Sequence, residues 1–256
     1  MVTEADELRM PLMDHLRELR SRIIVCMWTL GITITACFFF ANDLFGILAA
    51  PMNEALKTTG RGTLAMTVAT EAVVVQMKVS GLAGLFLSSP ILFWQAWKFV
   101  GPGLYPNERK RVLPLVASST FLFLSGAAFA YFGVFRYGFP FFLEMSGPDV
   151  TAVLSIDSYL GLATTLLVAF GASFQLPVVA YFLARVGLIH HIDMLKGFRY
   201  AIVGIFIAAA VLTPPDVISQ MIMAVPLLFL YGVSIGVVRL ATTKPIEIPE
   251  DAAHVS

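Results

Sequence analysis

The sequence predicts an all-α integral membrane protein of six transmembrane helices, the last two of them short. Three observations predict it. Of 256 residues, 58% are hydrophobic and 13% charged, with a mean hydropathy of +0.82, an excess that spanning helices supply and a soluble domain does not. Six apolar runs, led by residues 23–41 and ended by 217–238, are separated by Gly, Pro and charged residues. Six spans put both termini on one side, and of the 17 Lys and Arg only Lys57, Arg61, Lys78 and Arg136 then fall on the other. The positive-inside rule therefore places the termini in the cytoplasm.

The first 22 residues are read as a cytoplasmic amphipathic segment. Leu12, Leu16, Leu19 and Ile23 form one helical stripe, expected to lie on the membrane before the chain turns into it. Its polar face carries Asp14, His15, Arg17, Glu18, Arg20 and Arg22. Glu18 has two readings here, an i,i+4 partner of Arg22 or an acceptor for something cationic. The run 23–41 is longer than the ~7–15 residues of a signal-peptide core, so it is expected to be a first span rather than a cleaved leader. Cys26 and Cys37 lie about 16 Å apart on such a helix, too far to pair, and are read as buried thiols.

Residues 42–70 are too many for a tight connection. Leu44, Ile47, Leu48 and Leu56 mark a second amphipathic piece in them, bent at Pro51 and placed as a surface cap. The second span is expected from Glu71 to Val100 with a kink at Pro90, Glu71, Gln76 and Lys78 at one interface, and Trp94 and Trp97 in an aromatic belt at the other. The loop that follows, 99–111, reads FVGPGLYPNERKR. Gly101, Pro102, Gly103 and Pro106 stop both flanking helices, Asn107 can cap the next one, and Glu108 falls in its first turn, where the helix dipole favours an anion. A carboxylate followed by Arg109, Lys110 and Arg111 is either an ordinary helix start or half of a recognition site for a cation.

The third span is expected over 112–137, followed by an outer loop, 138–157, and a fourth span over 158–184 with Gln175 and Pro177 inside it. Measured from Arg185, Gln175 would lie about 15 Å below the surface, facing other helices either as a packing hydrogen bond or in a functional role. The fifth run, 200–213, has 14 residues, about 21 Å of helix against a core of ~30 Å. It stops at Thr213-Pro214-Pro215-Asp216, a tight turn in which Asp216 is placed to cap the sixth span, 217–238, itself broken at Pro226. Residues 23–238 are thus one six-helix membrane domain, and 239–256, polar and containing Pro245 and Pro249, are expected to be a disordered cytoplasmic tail.

Catalytic chemistry is missing. His15, His190, His191 and His254 show no metal-ligand spacing, and there is no nucleotide loop, no GxSxG and no HExxH. No carboxylate pair lies inside the spans. Neither an enzyme nor a bound cofactor, metal or nucleic acid is expected. A small-molecule secondary transporter is the alternative reading, and a structural scaffold a third.

Four segments in register point further: His15-Leu-Arg-Glu18-Leu-Arg20, the loop 99–111, Gly171-Ala-Ser-Phe-Gln-Leu-Pro177, and Leu212-Thr-Pro-Pro-Asp216-Val-Ile-Ser-Gln220. In order and spacing they resemble TatC, the multispanning core of the twin-arginine protein translocase, from about Leu12 to Arg239. The resemblance implies a cupped-hand, N-in and C-in receptor of the cell inner membrane, working as a multimer and driven by the proton motive force. It would bind the twin-arginine signal peptide of folded cargo at its cytoplasmic face and recruit TatA- and TatB-like single-span partners. The family's signal-peptide site matches Glu18 and Glu108, with Arg20, Phe99, Leu104 and Tyr105 as further matches. Thr213 and Gln220 match polar contacts of its partner-docking edge, and Asp216 resembles its functionally sensitive acid on the far side. Gln175 and Pro51 are counted as further functional positions. Gln175 stands where several relatives carry glutamate, and Val73 where the family has Phe after the Thr-Glu-Ala stretch. Two guanidinium groups and a carboxylate are natural partners, so the reading of the residues and the resemblance converge on a cargo receptor.

Overall fold

The computed structural model of the chain describes residues 4–60, 62–68, 70–100, 112–145, 153–212 and 217–242. Helices dominate, as they must where no water is present to satisfy backbone groups. Among the described residues five helical stretches, Met13–Phe38, Glu71–Val100, Val112–Met145, Ile156–Arg185 and Gln220–Ala241, are long and apolar enough to cross a bilayer, and Phe198–Leu212 is a shorter apolar one.

The first helix, α1 (Glu4–Phe38), joins the expected surface helix and the first span into one rod of 35 residues. The turn expected near residue 22 is absent, because residues 13–30 contain neither Gly nor Pro to make it. The second, α2 (Ala41–Thr59), is the amphipathic cap, closed by Gly60 in the left-handed conformation at φ 63. A short strand, β1 (Thr63–Ala65), leads to α3 (Glu71–Val100), which has the predicted bounds and runs through Pro90.

The third span is longer than expected. α4 (Val112–Phe129) passes through a π-helical stretch, Ala130–Phe135, into α5 (Arg136–Met145), so the helix occupies the first part of what was read as an outer loop from 138. Gly138, Phe139 and Leu143 are buried, with α5 packed against α2, and that burial outweighs the breaking tendency of Gly138 and Pro140. β2 (Val153–Ser155) then pairs in parallel with β1, Thr63 opposite Val153 and Ala65 opposite Ser155. Ser155 caps α6 (Ile156–Ser173) by accepting the Ser158 N–H.

The chain divides into two compact units after Phe174. In the first, α1 lies antiparallel on α3, with His15 against Phe99, Arg22 against Gln95 and Thr33 against Gly84. The helices touch closely at Gly84, where a Cβ would stand 2.6 Å from Ile34 Cγ1 and 2.9 Å from the Ile34 backbone. α4 meets α6 in the same way, Gly126 against the Phe170 carbonyl. Beside this crossing lies an aromatic core in which Phe135, Phe139, Tyr159 and Phe170 are buried, with Phe139 set between Phe135 at 4.8 Å and Tyr159 at 5.3 Å.

The second unit starts with α7 (Leu176–Arg185). The span expected over 158–184 is therefore interrupted by a turn at Phe174 and Gln175. Pro177 has no N–H for the carbonyl of Ser173, so α6 ends, and the Gln175 carbonyl starts a new helix by accepting from Val178 at 3.0 Å and Val179 at 2.9 Å. α8 (His191–Lys196) and α9 (Phe198–Leu212) follow, and α10 (Val217–Thr242) continues through Pro226 and past Arg239, where a break and the start of the tail were expected. Ala180, Ala184 and Val238 form the buried centre of this unit, and Tyr231 donates to the Met194 carbonyl at 3.0 Å.

Candidate functional site

One face of α1 is turned toward α3. Glu18, Arg22, Cys26 and Thr33 are half-buried on it and Cys37 is buried, at the spacing of one helical stripe. The apolar stripe stands elsewhere, with Leu16 57% and Ile23 51% exposed. Two charged side chains from the supposed polar face thus sit in a helix–helix seam.

There, Glu18 Oε1 accepts from Arg22 Nε at 3.1 Å and from Arg22 Nη2. Arg22 Nη1 donates to Gln95 Oε1 of α3 at 3.2 Å. One helical turn before Glu18, the His15 ring stacks on Phe99, centroids 4.4 Å apart and planes 18° apart. Arg17 pairs outward with Asp14 at 3.4 Å. The seam thus offers, beside the end of α3, a carboxylate that already holds a guanidinium and an aromatic face next to it. Both are groups that recognise arginine.

The structure brings Glu18 and Phe99 to this seam. It does not bring Arg20, which is exposed two residues along α1 and so points away from Glu18. Glu108, Leu104 and Tyr105 lie outside the described residues, as do Thr213 and Asp216. Gln220 is half-buried on α10 and donates to the Phe206 carbonyl at 2.8 Å. It borders an apolar groove of about 310 Å³ formed with Ile202, Val203, Phe206, Ile207 and Ala210 of α9. Gln175 is half-buried at the start of α7 rather than inside a long helix.

Pro51 has a structural explanation. It lies inside α2 and cannot donate to the carbonyl of Ile47, four residues back. The Tyr131 hydroxyl takes that carbonyl at 2.6 Å, and Tyr159 takes the neighbouring Leu48 carbonyl at 2.6 Å. Trp97 is also not the belt residue expected. It is 9% exposed and donates to Ser119 Oγ on α4 at 2.8 Å, whereas Trp94 is exposed.

Two important polar residues were missed from sequence. Gln95 stands between Trp94 and Trp97 near the end of α3, and an amide in an apolar helix was the available clue. Glu71 was placed at an interface without a role. Its Oε2 accepts from Thr67 N at 2.6 Å, Thr67 Oγ1 at 3.0 Å and Val68 N at 3.4 Å. Its Oε1 accepts from Ser155 Oγ at 2.7 Å and Asp157 N at 2.6 Å. Lys78 is paired with Asp157 beside it, at 2.6 Å.

Comparison with known proteins gives one answer. The family model described as TatC, Sec-independent protein translocase protein, matches residues 14–226. A Sec-independent protein translocase protein TatC of Helicobacter pylori (strain J99) is 43% identical over 244 residues, 94% of this chain and 93% of the relative. Its counterpart in Desulforapulum autotrophicum is 42% identical over 252 residues, 98% of this chain and 92% of the relative. A crystal structure of the twin arginine translocase receptor TatC superposes with a TM-score of 0.79 at 37% identity, covering 89% of this chain and 99% of that one. With several membrane-spanning helices, four motifs in register and these relatives, the chain belongs to the TatC family, the multi-pass membrane components of Sec-independent protein translocation.

Proposed function

We propose that this chain is the cargo receptor of a twin-arginine translocase, reading the arginine pair of a signal peptide with Glu18 and Glu108 at the cytoplasmic face. The observation that carries the reading is the Glu18 carboxylate, half-buried in the α1–α3 seam and shaped to accept a guanidinium. Phe99 supplies the adjacent ring, Leu104 and Tyr105 are further contacts of the signal peptide, and Arg20 contributes to surface charge. Both termini, residues 1–22 and 239–256, are cytoplasmic, and the host membrane is the inner membrane. The skew of Lys and Arg supports this orientation. TatA- and TatB-like single-span helices dock along α9 and α10, where the apolar groove beside Gln220 suits a helix that brings a polar group to a largely apolar face. Several copies work together, and the cargo is moved by the membrane gradient.

The test is titration of a twin-arginine signal peptide onto the purified chain. Glu18→Gln and Glu108→Gln should each weaken binding at least about tenfold, the loss expected for a hydrogen bond to a charged group, while the fold persists. Wild-type affinity in both variants would reduce Glu18 to an ordinary helix pair and Glu108 to a helix start.

A further inference from the structure

Arg22 reaches Glu18 through one oxygen only, and Arg22 is itself held from the facing helix. Its Nε and Nη2 both donate to Glu18 Oε1, while Nη1 donates across the seam to Gln95 Oε1 at 3.2 Å. A guanidinium has no acceptor, so this contact also fixes the Gln95 amide with its oxygen toward Arg22. The Arg22 side chain is 16% exposed and that of Glu18 35%, so the cation lies deeper than the carboxylate. An exchangeable surface pair has no reason to be arranged this way round. Swinging Arg22 out would take it from both its acceptors, and removing Glu18 would leave a half-buried guanidinium with one amide for company. Among the described residues no donor reaches Glu18 Oε2.

We propose that Gln95 and Arg22 are a positioning pair for Glu18. Gln95 fixes the guanidinium, the guanidinium fixes Oε1, and Oε2 is the oxygen presented to a cargo arginine. The inference rests on Glu18 being a cargo acceptor, as proposed above. A carboxylate held in this way loses little rotamer freedom when cargo arrives. The gain is greatest for a planar guanidinium, whose N–H directions are fixed. A lysine ammonium turns its donors toward an oxygen in any orientation and gains less from a fixed one.

The experiment uses the full-length chain in lipid nanodiscs, titrated with a labelled twin-arginine signal peptide and with its Lys-Lys counterpart. Each variant is melted in parallel. Gln95→Leu should weaken the Arg-Arg peptide about three- to tenfold and leave the Lys-Lys peptide nearly unchanged, so that discrimination falls. Gln95→Glu, which keeps an acceptor for Arg22, should retain most of the affinity. In a Glu18→Gln background, Gln95→Leu should have no further effect, because the pair acts only through that carboxylate. Three results overturn the positioning role: wild-type affinity in Gln95→Leu, equal loss for both peptides, or an additive loss in the Glu18→Gln background. If Glu18→Gln weakens binding and Gln95→Leu does not, the pair alone is wrong. If Glu18→Gln itself binds as wild type, the recognition reading fails and takes the pair with it.

Discussion

Two glutamates stand near the two ends of α3, and they are treated in opposite ways. Roughly 36 Å of α3 separates Glu71 at its start from Gln95, beside which Glu18 sits. Glu71 is 5% exposed and takes five hydrogen bonds from four residues, three of them from backbone N–H groups. Glu18 takes one guanidinium on one oxygen. A carboxylate offers about four lone-pair directions, so Glu71 is filled and Glu18 keeps room for a further donor. Both carry the same carboxylate, Glu71 in the first turn of α3 and Glu18 inside α1. What separates a structural acid from a recognition acid here is how its lone pairs are used.

The largest expected effect tests the filled end. Glu71→Gln replaces an acceptor-only group with an amide whose NH2 must face donors, and so breaks contacts to Ser155 and Asp157 or to Thr67 and Val68. Those contacts join the segment after α2 to the segment before α6, alongside the β1–β2 ladder. Thermal unfolding in detergent should show a midpoint lowered by about 10 °C, whereas Glu18→Gln should move it by no more than about 2 °C. Equal midpoints for the two variants would erase the distinction between a filled and an open carboxylate.

A second, smaller effect tests whether the two ends are joined by a rigid seam. Gly84 lies between them, and the methyl of Gly84→Ala would press on the Ile34 backbone, which unlike a side-chain tip cannot swing away. Overpacking of this kind costs about 1–3 kcal/mol. Spreading the helices should also loosen the Arg22–Gln95 contact and weaken signal-peptide binding by a few-fold, with peptide titration and melting measured on one preparation. Unaltered stability together with unaltered binding would mean that the seam does not set the geometry of the Glu18 end.

Much of this was legible in the sequence, and the same comparison explains what was not. The α3 bounds followed from the apolar run and its flanking Gly and Pro, and the start of α4 and the span of α9 followed similarly. Glu18 was visible as a charged residue on a helix that becomes a span, but its face was not. The apolar stripe of residues 12–23 was expected on the membrane and Glu18 on a polar surface face, whereas α3 packs on the stripe carrying Glu18 and Arg22. Choosing between the two requires the partner helix. The Glu71 site is further out of reach, because two of its donors lie 84 and 86 positions away on a three-residue strand and the helix that follows it. Proline misled in both directions. Pro140 and Pro226 are held inside helices by packing, while Pro177 does end one. Local propensity cannot tell these apart, since the outcome depends on whether something else satisfies or buries the affected backbone.

The smallest effect sharpens the picture of the filled end, since the cap helix α2 packs there against α5. Pro51 leaves the Ile47 carbonyl without its helical donor, and the Tyr131 hydroxyl from the π-helical stretch takes it at 2.6 Å. A π-helical stretch is uncommon, and here it carries the tyrosine that meets this carbonyl. Tyr131→Phe should therefore cost about 0.5–1.5 kcal/mol, the net worth of one hydrogen bond. In a Pro51→Ala background the alanine N–H can return to Ile47, so the same Tyr131→Phe change should cost markedly less. A double-mutant cycle on unfolding measures the difference, and the coupling should exceed about 0.5 kcal/mol. Additive losses would show that Pro51 and Tyr131 act separately, and that the carbonyl at Ile47 is satisfied by water at the membrane surface. A coupling of the expected sign would instead place Pro51 with Glu71, as part of the matched polar framework that holds the cap.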